Sequence, residues 1–498
     1  MAKGNVKSII KRKTNKTAVK LPTGIKGFDE VLAGGFQSGR TLLINGSTGT
    51  GKTVLLNEFL YRGITKFNEP GVFVTFEEKP DYIIKNVEKF GWNYKKLIKE
   101  KKLVFVNVGI DAEAMDLEID DEVDLTPILN RIKYAVKQIG AKRISIDSMG
   151  SLYDRFSNKR QIRNIMLKVV WFINSLGCRT MMTSETRGEG IQFSRFGVED
   201  FVADGVVGLS LDLGDQEYKR RIYVRKIRGE SYRSGMVEFD ITCNGIEIFP
   251  KIPISSNVRR TEFNKRRKFG IEKLDKFLDG GVPEGHMMMT SGNTGTGKSI
   301  LGLHFMMEGL RNDEGVVMVA LEEPVPQVIK NAKQLGWDLL SYEKKGKFKF
   351  VTSPLIDIRP DKLLYKIIDA CTEVNATRVV IDSISTMHTA TFNPDKVRQF
   401  LIQIASYFKG NGITCVFNYL SGSNFGAVKG QLLSLTETNN LKMSSVMDGV
   451  ILLLYVERQQ AVSKLLTILK LRGSNHNKSI FTFYIDKNGF EIGEQFTE

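Results

Sequence analysis

Two stretches of the chain have the residue types and spacing to hold a triphosphate. Gly46-Ser47-Thr48-Gly49-Thr50-Gly51-Lys52-Thr53 and Gly292-Asn293-Thr294-Gly295-Thr296-Gly297-Lys298-Ser299 both read Gly, four residues, Gly-Lys-Thr/Ser. Glycines at these places let successive backbone N–H groups turn inward onto phosphate oxygens. A helix that follows adds the positive end of its dipole. Lys52 or Lys298 then reaches the β- and γ-phosphates, and the hydroxyl of Thr53 or Ser299 faces Mg²⁺. ATP with Mg²⁺ is the expected ligand at both.

Other residues fit around these cradles. Asp147 and Asp382 each end a short apolar run (Arg143-Ile144-Ser145-Ile146-Asp147; Arg378-Val379-Val380-Ile381-Asp382), as expected of an acid that holds Mg²⁺. A strand-ending Asp can also simply cap the next helix. Glu77-Glu78 and Glu322-Glu323 follow apolar runs and stand close to Pro80 and Pro324. Adjacent carboxylates repel and gain little from packing. Near a γ-phosphate, one could orient or deprotonate the attacking oxygen. Glu322 is also a candidate metal ligand. Lys226 and Arg228, and again Lys470 and Arg472, sit two apart, so on a strand they would share one face. Two neighbouring cations call for an anion, such as the γ-phosphate of a neighbouring subunit's nucleotide. The plainer alternative is a set of surface ion pairs.

These residues recur in order. Lys52 returns as Lys298, Glu77 as Glu322, Asp147 as Asp382 and Arg228 as Arg472, at offsets of 246, 245, 235 and 244. Gly24-Ile25-Lys26-Gly27-Phe28-Asp29 is matched by Gly270-Ile271-Glu272-Lys273-Leu274-Asp275. The chain is a duplication of one domain. The dip to 235 places a net deletion before Asp382, and an insertion follows it. Within each copy, short β-branched runs alternate with amphipathic stretches such as Tyr82 to Phe90. That alternation predicts an α/β fold with a mostly parallel sheet flanked by helices, with ligands beyond the C-terminal strand ends. The expected division is a basic tail over 1–20, a domain over 21–250, a basic linker over 251–268 and a domain over 269–498.

With 42% hydrophobic and 26% charged residues, a disordered or fibrous chain is excluded. The net charge of +16 favours anionic partners, and the basic runs of the tail and linker read either as solvated charge or as a contact for nucleic acid or an acidic protein. Cys178, Cys243, Cys371 and Cys415 lie far apart and read as small buried apolar residues in a reducing cytoplasm. The four histidines show no metal-ligand spacing. No apolar run is long enough to span a bilayer, so no membrane association is expected.

The two cradles in tandem, each with a strand-end Glu-Glu and a Lys-x-Arg-Gly element (Lys226 to Gly229; Lys470 to Gly473), resemble the KaiC family of circadian-clock ATPases and autokinases. The likeness runs from about Leu21 to Phe496. It implies two RecA-like P-loop NTPase domains in a double-ring homohexamer, with ATP between subunits. The first domain would be a slow ATPase with Glu77 as base. The second would be a Ser/Thr kinase acting on its own chain, and also a phosphatase, with Glu322 as base. The family's accepting pair precedes an Asp-x-x-x-Leu-Leu strand. Here that stretch reads Met443-Ser444-Ser445-Val446-Met447-Asp448-Gly449-Val450-Ile451-Leu452-Leu453, so the resemblance makes Ser444 and Ser445 the phosphoacceptors.

The sequence also departs from the clock proteins. They carry a C-terminal extension for an activator of the KaiA type, whereas this chain ends at Glu498, so dependence on such an activator is not expected. A KaiB-like partner stays compatible. Gly229-Glu230-Ser231-Tyr232-Arg233 stands where the clock proteins have Thr and His. These departures suggest a non-cyanobacterial homologue acting as a simpler timer or in stress signalling. Two other classes stay open. A RecA-type DNA-binding ATPase would show salt-dependent DNA binding, though no strand-exchange loops are recognisable. A non-catalytic nucleotide-gated scaffold is disfavoured by the intact Glu pairs.

Overall fold

In the computed structural model, Leu42 and Ile44 of strand β1 (Thr41–Gly46) face one hydrophobic core and Leu43 faces another. This is the period-2 alternation of a strand buried on both sides. The structure describes residues 19–108, 125–150, 159–186, 199–214, 217–252, 265–354, 358–390, 394–420, 446–458, 461–487 and 489–496. The chain divides into two compact units, Met1–Pro250 and Lys251–Glu498.

The first unit continues with β2 (Gly71–Thr75), β3 (Leu103–Asn107), β4 (Arg143–Asp147), β5 (Arg179–Glu185), β6 (Gly205–Gly214), β7 (Glu217–Ile227), β8 (Val237–Thr242) and β9 (Gly245–Ile248). They form one sheet in the order β3-β2-β4-β5-β1-β6-β7-β8-β9. Pairing is parallel from β3 to β6 and antiparallel from β6 to β9. The second unit opens with a two-stranded ribbon, β10 (Arg266–Arg267) and β11 (Val282–Pro283). Its main strands are β12 (Met287–Gly292), β13 (Gly315–Ala320), β14 (Phe348–Thr352), β15 (Ala376–Asp382), β16 (Thr414–Leu420), β17 (Gly449–Arg458), β18 (Ala461–Leu471), β19 (Phe481–Asp486) and β20 (Gly489–Gln495). Their order, β14-β13-β15-β16-β12-β17-β18-β19-β20, repeats that of the first sheet. The expected α/β architecture is therefore present twice.

Helices Lys52–Phe67 and Lys298–Arg311 start directly from the glycine turns. Each presents an apolar face to its sheet: Leu55, Phe59 and Leu60 in the first, Leu301, Phe305 and Met306 in the second. Burying each such side chain stabilises the unit by roughly 1.5–3 kcal/mol. Both helices also contain a mid-helix glycine with a steric reason. A Cβ on Gly63 would lie 2.4 Å from Arg143 Cδ, and one on Gly309 would lie 2.5 Å from Arg378 Cδ.

Those two arginines are buried and fully engaged. Arg143 donates to Glu69 and to the carbonyls of Pro22, Thr23 and Phe59. Arg378 donates to Glu314 and to the carbonyls of Lys268 and Phe305. Each ties the entry segment of its unit to the P-loop helix. The entry segment is itself turned by a carboxylate. Asp29 accepts from the N–H groups of Thr23 and Gly24, and Asp275 from those of Phe269 and Gly270. This explains why the Gly-Ile…Asp element recurs in the sequence.

The uneven repeat offsets map onto loops. The offset is 245 from β3 to β14, and 235 from β4 to β15 and from β5 to β16. It returns to 244 from β6 to β17. The inserted residues therefore lie between β16 and β17, the stretch that carries Ser444 and Ser445. Both serines fall outside the described residues, as does residues 1–18 of the basic tail.

Parts of the basic segments differ from solvated runs. Lys20 bonds the carbonyls of Leu32 and Ser231 and pairs with Glu230 at 3.2 Å. Arg267 pairs with Glu284 and Glu314. These cations are taken up by their own units, because the flanking backbone is already pinned by Arg143 and Arg378. Cys178, Cys371 and Cys415 are buried, but Cys243 is exposed, because it lies in the turn between β8 and β9.

Candidate nucleotide sites

The P-loop of the first unit leaves the C-terminal end of β1, in the middle of the sheet. Gly49 (φ 80°) and Gly51 (φ 102°) take left-handed backbone that a side chain would strain, and Gly295 (φ 79°) and Gly297 (φ 106°) repeat them. The loop is also braced from within. Thr50 Oγ1 donates to Ser47 O and Thr296 Oγ1 to Asn293 O, both at 2.8 Å. Thr50 and Thr296 thus brace the cradle twice, because their backbone N–H groups also donate to Ser47 O and Asn293 O. Lys52 Nζ rests on the carbonyls of Gly46 (2.7 Å) and Ser47 (3.0 Å). Lys298 Nζ rests likewise on Gly292 and Asn293.

One cavity of about 380 Å³ gathers Thr48, Gly49, Gly51, Lys52, Thr53, Glu77, Glu78 and Asp147. The 94 residues that separate Thr53 from Asp147 are bridged here because β4 and β2 end at the same edge as β1. Thr53 Oγ1 donates to Asp147 Oδ2 at 2.7 Å. In the second unit Ser299 and Asn418 favour the charged form of Asp382, but burial outweighs them and raises its pKa.

The two members of each Glu pair are held differently. Ser148 Oγ donates to Glu77 Oε1 at 2.8 Å, while Asn86 Nδ2 donates to Glu78 Oε1 at 3.1 Å. Asn331 Nδ2 repeats the second contact on Glu323. Ser383, the equivalent of Ser148, lies instead 3.3 Å from Ser385 Oγ. Burial, then the neighbouring Asp147, raises the pKa of Glu78. Burial, then Asp382 and Glu322, raises that of Glu323. Both lysines are pushed down by burial. Glu185, Asp147 and Glu77 oppose this at Lys52, and Asp382 and Glu322 at Lys298. Lys52 and Lys298 are thus cations already surrounded by carboxylates, a setting that accepts a metal-bound polyphosphate.

Among the described residues, no group of three or more His, Cys, Asp or Glu side chains could hold a metal alone. Mg²⁺ needs less from the protein, taking one or two side-chain oxygens and otherwise substrate phosphates and water. The Thr53 hydroxyl against the Asp147 carboxylate fits that requirement.

Sequence reasoning missed Thr183 and Glu185. Thr183 Oγ1 donates to Asp147 Oδ1, and Glu185 lines the cavity. The only sequence signal was the polar end of an apolar run, Thr183-Ser184-Glu185. In the second unit, register places Asn418 and Leu420 at these positions, so this strand end carries a carboxylate in the first unit and not in the second.

Lys226 and Arg228 stand apart from the cavity of their own unit. Lys226 pairs with Val206, which pairs with Leu43, so it lies about 10 Å back along the strand from the P-loop. A bulge at Arg225, matched by one at Leu469, re-aims the strand just before each cation pair. Lys226 Nζ bonds Asp200 O and Lys470 Nζ bonds Met447 O. Burial, then the adjacent arginine, lowers the pKa of each lysine.

The family profile described as "ATPase: KaiC" matches residues 21–252 and 267–496. The chain belongs to the KaiC family. It is 35% identical over 481 residues to the circadian clock oscillator protein KaiC of Picosynechococcus sp., covering 97% of this chain and 91% of that one. The KaiC of Synechococcus elongatus is 35% identical over 482 residues, covering 97% and 90%. The KaiC 1 of Synechocystis sp. is also 35% identical, covering 97% and 90%. The two units are accordingly tandem RecA-like domains, as KaiC membership and the shared strand order require. Among the described residues, no helix is long and apolar enough to cross a membrane.

Proposed function

We propose that this KaiC-family protein binds ATP with Mg²⁺ at both P-loops, hydrolysing it in the first unit and transferring phosphate to its own chain in the second. The observation that carries this reading is the arrangement around Lys52. A lysine, a hydroxyl, a strand-end acid and two carboxylates meet at one glycine turn.

In the first unit a water attacks the γ-phosphorus while Glu77, oriented by Ser148, accepts its proton. Lys52 neutralises charge on the phosphates, and ADP leaves with the old bridging oxygen. Bound Mg²⁺ would be held by Thr53 and Asp147 and would offset charge on the β- and γ-oxygens. In the second unit the hydroxyl of Ser444 or Ser445 of an adjacent subunit takes the place of water. Glu322 accepts its proton, and Ser299 and Asp382 would hold the metal. Autophosphatase activity transfers that phosphoryl group from the serine oxygen to water, which restores the hydroxyl. The phosphate adds about −1.5 to −2 charges at pH 7, enough to alter contacts and partners in a timer or stress signal.

The assembly in this reading is a homohexamer with ATP between subunits. Its support is the placement of Lys226/Arg228 and Lys470/Arg472 away from their own cradles.

The test is incubation of the whole chain with γ-labelled ATP, followed by mass-spectrometric mapping and sizing with and without nucleotide. Label on Ser444 or Ser445, absent in Glu322→Gln, supports the kinase. Phosphate release without label leaves only an ATPase. A species that stays monomeric with ATP removes the hexamer.

A further inference from the structure

Glu58 and His304 occupy the same place in the two units, six positions after the P-loop lysine on the following helix. They share no chemistry by type, yet each accepts the same kind of hydrogen bond. Ile246 N–H donates to Glu58 Oε2 at 2.6 Å, and Phe490 N–H donates to His304 Nε2 at 2.9 Å. Both donors are the second residue of the last strand of the C-terminal hairpin of their unit, β8–β9 or β19–β20, directly after the glycine that opens it. That glycine is required twice over. Gly245 and Gly489 have φ of 112° and 105°, and a Cβ on them would lie 2.6 Å from Glu58 Oε2 and 2.3 Å from His304 Nε2.

The other arm of each hairpin reaches the P-loop. Ile246 is the cross-strand partner of Ile241, and Phe490 is that of Ile485. Ile241 and Ile485 press on the glycine immediately before the P-loop lysine. Their Cδ1 atoms lie 2.8 and 2.2 Å from where a Cβ of Gly51 or Gly297 would stand. The acceptor, the hydrogen-bonded strand and the isoleucine form a short mechanical path from the helix back to its own cradle. Each acceptor is itself fixed, Glu58 by Arg62 at 3.0 Å and His304 by an edge-on contact with Trp337 at 4.8 Å.

We propose that Glu58 and His304 are positioning residues for nucleotide binding, each holding its unit's C-terminal hairpin so that Ile241 or Ile485 keeps the P-loop glycine in its ligand-ready conformation. The inference rests on reading the P-loops as triphosphate sites. It also makes the hairpin of each domain a route by which anything that shifts that hairpin alters nucleotide affinity. Burial keeps His304 neutral with Nε2 as acceptor, since its pKa is lowered to about 4.

The test is titration of a fluorescent ATP analogue against the whole chain carrying Lys52→Ala, so that only the second site reports. His304→Leu, which keeps apolar contact but lacks the acceptor, is expected to weaken binding about tenfold, the equivalent of one hydrogen bond. His304→Gln, which can still accept, should stay within about twofold of the parent. The double variant His304→Leu/Ile485→Ala should bind no more weakly than the worse single variant, because both act through one path. Equal binding by His304→Leu and its parent, or additive losses in the double variant, would overturn the proposal. The same series with Glu58→Leu, Glu58→Gln and Ile241→Ala in a Lys298→Ala background decides the matter if His304→Leu does not fold. A parent that binds no nucleotide would overturn this inference together with the reading of the P-loops.

Discussion

Thr53 Oγ1 lies 2.7 Å from Asp147 Oδ2, joining the first turn of the P-loop helix to the end of β4 across 94 residues of sequence. The other Asp147 oxygen accepts from Thr183. The carboxylate is therefore oriented from the P-loop helix and from β5, and it lines the same cavity as Lys52. A metal bound there would complete a set of ligands that the fold has already aligned.

Thr53→Ala and Asp147→Asn should each weaken the Mg²⁺-dependent part of nucleotide binding in the first unit by roughly 10–100-fold. Affinity in the presence of a chelator should change far less. Titrations with and without Mg²⁺ separate the two, and equal loss in both would show that these residues only support the loop.

Glu77→Gln should reduce phosphate release from the first unit by roughly 10²–10⁴-fold while leaving nucleotide affinity close to that of the parent. Ser148→Ala, which removes only the orienting 2.8 Å bond, should fall between the two. Glu78→Gln is expected to have the smaller effect of the Glu pair, because Asn86 rather than Ser148 holds it. Phosphate release measured in a Glu322→Gln background reads the first unit alone.

Glu69 serves both Arg143 and Arg179, whose side chains are almost wholly buried. Glu69→Ala leaves two buried guanidinium groups without their shared carboxylate. The first unit should lose about 3–5 kcal/mol, the usual result of breaking a buried pair from one side. Denaturant unfolding should show its transition moving to lower urea while that of the second unit stays in place.

The buried imidazole of His304 gives stability a pH dependence of definite sign. Its pKa falls from 6.5 to about 4, first through burial and then through Arg311. As pH drops below 6.5 the unfolded chain gains a proton that the folded chain does not take up until about pH 4. The unfolded state is therefore favoured on acidification. The contribution is complete above pH 6.5 and is lost toward pH 4, by about 3 kcal/mol. His304→Gln lacks this titration, so the wild type should lose stability relative to that variant between pH 7 and pH 4. A constant difference across that range would argue against it.

Much of this protein is legible in its residue types and their spacing. The glycine turns are contiguous, so their backbone geometry is local and their residue types suffice to reveal it. The duplication was legible because Asp29, Arg143 and their counterparts Asp275 and Arg378 hold equivalent contacts in both units. Strand ends and the Glu pairs followed from runs of apolar residues meeting carboxylates.

What the sequence determined by itself was the set of groups that share a strand end or a turn: Lys52, Thr53, Asp147, Glu77 and their repeats. Tertiary structure alone decided which distant groups joined them. Thr183 and Glu185 reach the first site because β5 lies beside β1, and strand order is set by packing on both faces of the sheet rather than by neighbouring residues. Lys226 was placed away from its own cradle by the antiparallel return of β7, and Glu58 and His304 found equivalent partners through a hairpin nearly 190 residues further on. A side chain's type is local information. Its distance to a group on another strand is the outcome of the whole core.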